Sequence, residues 1–86
     1  MSRVRLVLSA RDIGIIEEAL QDSALYWQSA ADEAARRARL CTALGPHYHA
    51  AALHHQREQT RLERIVKQRR DTLARLRKAK EVGKIC

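Results

Sequence analysis

The 86-residue chain is predicted to be all-α: an antiparallel hairpin of two long helices with a short N-terminal extended segment, dimerising into a four-helix bundle. Three observations lead there. Residues 10–44 contain no proline, are rich in alanine and repeat apolar side chains at steps of three and four. Gly45-Pro46 interrupts that pattern. A second four-three series then runs through residues 46–81. Three Gly and one Pro supply too few turn formers for an all-β chain. Residues 1–86 make a single domain, and a chain this short buries only about 60 to 65% of the surface its unfolded form exposes. Three aromatics and no Phe leave few bulky groups to fill such a core.

The extended segment covers residues 3–8, where Val4, Leu6 and Leu8 alternate with Arg3, Arg5 and Val7, the period of two that sends apolar groups to one face. Ser9 follows as an N-cap. Its hydroxyl is placed to accept from the backbone N–H of Asp12 while the Asp12 carboxylate reaches back to the Ser9 N–H, and Leu8 and Ile13 occupy the staple positions. The first helix therefore spans 10–44. Its main stripe is Ile13, Ile16, Leu20, Ala24, Trp27, Ala31, Ala34, Ala38 and Cys41, all within roughly 100° of arc. Breaks are conceivable at Gln21-Asp22-Ser23 or at Ser29, but a continuous helix is expected.

Gly45 suits a left-handed position after the helix end, and Pro46 opens the next helix. The second helix is expected over 46–81, with residues 82–86 as a frayed tail. Its seam is Tyr48, Ala52, His55, Gln59, Leu62, Val66, Arg69, Leu73, Leu76 and Lys80. So short a connection makes the helices antiparallel neighbours, with opposed positions summing to about 92. That register sets Trp27 against Ile65 and Val66, Leu20 against Leu73, and Ile16 against Leu76.

One partner does not cover the first helix. Beside the main stripe lies a second, Ile15, Ala19, Tyr26 and Ala30, which widens the apolar arc to about 200° where a bundle helix needs little more than 100°. These four residues are the candidate protein interface, and a second copy of the chain is its simplest occupant.

Charge is divided unevenly. Residues 1–56 balance six Arg against six acids, whereas residues 57–86 hold eleven Lys or Arg against four acids and so carry the whole +7. A basic block is the electrostatic footprint of nucleic acid or of an acidic partner, and also the composition of a plain solvated face. Arg57, Arg61, Arg64, Gln68, Arg75 and Lys78 fall within about 100° of one another, opposite the apolar seam, and are the candidate contacts to such a partner. Glu63 before Lys67 and Asp71 before Arg75 have the spacing of ordinary helix-surface pairs. No aromatic interleaves the stripe, which removes the stacking a single-strand binder uses.

The opening of the chain adds a second form of the nucleic-acid reading. A strand with Arg3, Arg5 and Val7 on one face, followed by a capped helix, is similar to the opening of ribbon-helix-helix repressors over about twenty residues. The resemblance implies two strands paired across a dimer and read into the major groove. That family's first helix is short and ends in a Gly-containing turn, a pattern that residues 20–30 do not follow.

Chemistry beyond binding has little support. His47, His49, His54 and His55 crowd the start of the second helix near Cys41, and His54 with Glu58 has metal-sharing spacing, but no paired ligand motif completes a zinc set. No metal or cofactor is expected. Two helices offer no concave pocket, so neither an enzyme nor a small-molecule substrate is expected. Cys41 and Cys86 are read as free thiols, set roughly 50 Å apart by the hairpin. No apolar run approaches the ~18 residues of a membrane span, and the reading is a cytoplasmic protein. The expected function is a non-enzymatic protein-protein interaction module acting as a stoichiometric inhibitor, adaptor or regulator, with nucleic-acid binding as the alternative.

Overall fold

The computed structural model describes residues 8–85, with side chains through residue 81. The predicted strand over 3–8 lies outside them except for Leu8. Helix α1 runs from Ala10 to Leu44, a 3-10 turn covers Pro46–Tyr48, and helix α2 runs from His49 to Ile85. The two long helices fold back on each other as a hairpin 61 Å long, 28 Å wide and 16 Å thick. Among the described residues no strand is present and no helix is long and apolar enough to cross a membrane.

Helix α1 begins where its capping residues place it. The Asp12 N–H donates to the Ser9 Oγ and the Ser9 N–H to the Asp12 Oδ2, both at 3.1 Å, so two otherwise orphaned backbone donors are satisfied. The helix passes through Gln21-Asp22-Ser23 and Ser29 without a break, unlike the short first helix of the ribbon-helix-helix pattern. Asp32 does not cap a new helix there; it accepts from Gln28 Nε2 at 3.0 Å along the helix surface.

Gly45 ends α1 at φ 111° and ψ −174°, with its N–H on the Thr42 carbonyl at 3.3 Å. This is the extended mirror region, nearly exclusive to glycine, rather than the compact left-handed helical one that its position suggested. Pro46 opens a 3-10 turn instead of α2 itself. At the other end α2 continues to Ile85, past the expected stop at 81.

The core is narrow. Helix α1 contributes Ala24, Ala31, Ala34 and Ala38; α2 contributes Ala52, Leu62, Val66 and Leu73. Small residues on one helix let the branched residues of the other sit close to its backbone, and Leu62 packs with Ala31 and Ala34 while Trp27, Ala30 and Ile65 close over them. Both predicted stripes thus line the contact, except that Ile16 and Tyr48 are exposed. The core keeps the expected register, with Trp27 and Ile65 closing over one cluster, while several other partners fall further along α2 than a fold-back centred on Pro46 gives. Glu17 reaches Arg77 and Lys80, Gln28 reaches Arg70, and Ala24 shares a groove with Leu73.

Candidate functional site

Two surfaces carry the candidate residues, and both are formed by what the hairpin leaves uncovered. On α1, Ile15 is 58% exposed and Tyr26 68%, although both belong to side chains that folding normally buries. Ala19 lies beside them, exposed. Ala30 does not: it is half-buried and packs on the edge of the core cluster, because its arc position lies nearest the α2 seam. The Tyr26 ring meets the half-buried Trp27 edge-on, with centroids 5.2 Å apart, so the core aromatic holds the exposed one in place.

The row continues past the residues that hydrophobicity alone marks. Leu40 and Leu44, 53% and 55% exposed, stand on the same face once the spacing is carried through Glu33 and Arg37. The two charged residues hide the continuity in a hydropathy reading. Keeping the four-three step regardless of polarity recovers it. Glu33 accepts from Arg36 Nε at 2.9 Å and Nη2 at 2.6 Å, and from Arg37 Nε at 3.2 Å. These bonds, first those from Arg36, hold its carboxyl down to about 2 and raise the Arg36 guanidinium.

On α2, Arg57, Arg61, Arg64, Arg75 and Lys78 are all exposed, on the side turned away from α1. Arg57, Arg61 and Arg64 line a shallow groove together with Leu53. Arg61 is tied to Glu58 at 2.8 Å, which lowers the Glu58 carboxyl. Among the described residues the other four cations of the stripe hold no ion pair. The expected Glu63–Lys67 and Asp71–Arg75 pairs are replaced: Lys67 bonds Asp71 at 2.8 Å and lowers its carboxyl, while Glu63 accepts from Gln59. A single lysine midway between two acids takes one of them, and Asp71 keeps Arg75 only at longer range.

His47, His49 and His54 are exposed and His55 is half-buried in the seam, with the His54 and His55 rings edge-on at 5.3 Å. No three His, Cys, Asp or Glu side chains converge among the described residues. Cys41 is a half-buried free thiol. Compared with protein-family models, curated proteins and solved structures, the chain matches none of them.

Proposed function

We propose that the protein is a non-enzymatic, cytoplasmic protein-binding module, a stoichiometric inhibitor, adaptor or regulator whose docking surface is the outer face of α1. One observation carries the reading: Ile15, Tyr26, Leu40 and Leu44 are exposed in a row while the core beneath is largely alanine. Large apolar side chains aligned on a surface mark a place where a partner removes them from water.

The test is affinity capture from the native host with wild type, Tyr26→Asp and the pair Arg57→Ala/Arg64→Ala as baits, with and without nuclease. Proteins retained by wild type and by the arginine variant, lost with Tyr26→Asp and indifferent to nuclease, are the expected result. Retention that disappears on nuclease treatment would instead favour the second reading, in which the α2 stripe follows a phosphate backbone. The observation behind that reading is the set of exposed cations Arg57, Arg64, Arg75 and Lys78 without an ion pair among the described residues.

A further inference from the structure

The residue types along the outer row of α1 name its occupant. Ile15, Ala19, Asp22 and Tyr26 step by four, three and four; Glu33, Arg37, Leu40 and Leu44 step by four, three and four again. All eight lie within about 60° of arc at ~100° per residue. The two halves mirror each other about the Ser29–Ala30 peptide. Four-three-four spacing gives any helix face such a mirror point, and what singles this one out is that its opposed positions suit each other, apolar on apolar at Ile15–Leu44 and Ala19–Leu40 and acid on base at Asp22–Arg37.

From this we infer that the outer face of α1 pairs with the same face of a second copy, antiparallel, with the two-fold axis at Ser29–Ala30. The inference rests on the reading of that face as a protein-docking surface and supplies its partner. In this register Ile15 meets Leu44 of the second copy, Ala19 meets Leu40, Asp22 meets Arg37 and Tyr26 meets Glu33. Apolar pairs lie at both ends, with small Ser29 and Ala30 at the centre, where the helices approach closest.

Charge decides the direction. Within the row the charged residues are Asp22 in the N-terminal half and Glu33 with Arg37 in the C-terminal half. Antiparallel pairing brings Asp22 to Arg37 and keeps Glu33 off its own copy; parallel pairing sets Asp22 on Asp22, Glu33 on Glu33 and Arg37 on Arg37. The groups are also available. Asp22 is exposed and holds no hydrogen bond or ion pair among the described residues. Arg37 uses only its Nε on Glu33, leaving its terminal nitrogens to reach the Asp22 carboxylate of the second copy.

Two experiments on the full chain test this. Sedimentation velocity at low salt compares wild type with Asp22→Arg, Arg37→Asp, their combination and Tyr26→Asp, circular dichroism confirming that each stays helical. Each single charge reversal should weaken self-association roughly tenfold, since symmetry breaks the pair twice, and the combination should return to within about threefold of wild type. In a Cys41→Ala/Cys86→Ser background, Ile15→Cys should form a disulfide with Leu44→Cys in a mixture of the two proteins and not with itself, because this register sets the two copies of residue 15 about 43 Å apart. A dimer in which Ile15→Cys links to itself, or in which the combined reversal is no better than the singles, overturns the antiparallel register and leaves the docking face standing. A strict monomer at high micromolar concentration overturns the second copy as occupant. A dimer indifferent to Tyr26→Asp likewise overturns the second copy as occupant of this face and leaves the docking face to the capture experiment.

Discussion

Gly45 stands at φ 111° with nothing within 4 Å of where a Cβ would be, so a side chain there meets no clash and the whole penalty is conformational. Gly45→Ala should destabilise the hairpin by about 1 to 3 kcal/mol in thermal or denaturant melts, whereas Gly14→Ala, inside α1 and equally open, should stabilise it by about 0.5 to 1 kcal/mol. A different residue-scale effect governs acid. Asp12, Glu33, Glu58 and Asp71 all titrate below their ordinary values because Ser9, Arg36, Arg61 and Lys67 respectively bond their ionised forms. A lowered carboxyl contributes stability above its unfolded value and loses it as pH falls through the folded one. For Glu33 that window runs from 4.5 down to about 2. Melting temperature followed over this window should fall, Glu33→Gln should flatten part of the slope, and salt should reduce the effect because these carboxylates are exposed to solvent.

At the scale of elements, Trp27 and the α2 stripe make opposite demands. Trp27 closes over Ala31, Ala34 and Leu62 but remains half-exposed, so Trp27→Ala should cost about 2 kcal/mol, below the ~3 to 5 of a fully buried aromatic. Arg57→Ala and Arg64→Ala, on open helix surface, should each stay within about 0.5 kcal/mol in the same thermal melts. A reversed ranking would mean that the helices do not pack through this seam. The buried positions were legible because spacing determines them: Ala24, Ala31, Ala34 and Ala38 share one face of any α-helix, as do Ala52, Leu62, Val66 and Leu73. Ser9 and Asp12 were legible because capping is local chemistry. The turn was not, since Pro46 opens a 3-10 turn and an α-helix equally well. Ion pairing was not legible either, because Lys67 has acids within one turn on both sides and sequence spacing does not rank them. At the candidate interface, Tyr26 and Ile15 were apparent from their apolarity, whereas Leu40 and Leu44 lay beyond two charged residues that broke the hydrophobic run.

For the whole molecule, the net charge of +7 and the exposed arginines raise the question of duplex binding. Any protein so charged is retained on DNA at low salt, so weak retention alone decides nothing. A stripe that tracks phosphates makes a sharper statement. Five contacts from Arg57, Arg61, Arg64, Arg75 and Lys78 would release about one counterion each, giving a log-log salt slope near −4 to −5 and a uniform loss when any one of them is removed. Arg61 is already engaged by Glu58, and Asp71 lies beside Arg75, so local acids compete with phosphate along the stripe. Each such acid must be displaced or carried into the complex as a like charge against DNA. The expectation is therefore binding weaker than micromolar at ~150 mM salt, where the Debye length is ~8 Å, with a slope shallower than five contacts would give. Fluorescence anisotropy with a labelled duplex across a salt series measures both quantities. Nanomolar binding at that ionic strength, with the steep slope, would make the α2 stripe the working surface and α1 its scaffold; shallow, weak binding leaves the outer row of α1 as the face through which the hairpin acts.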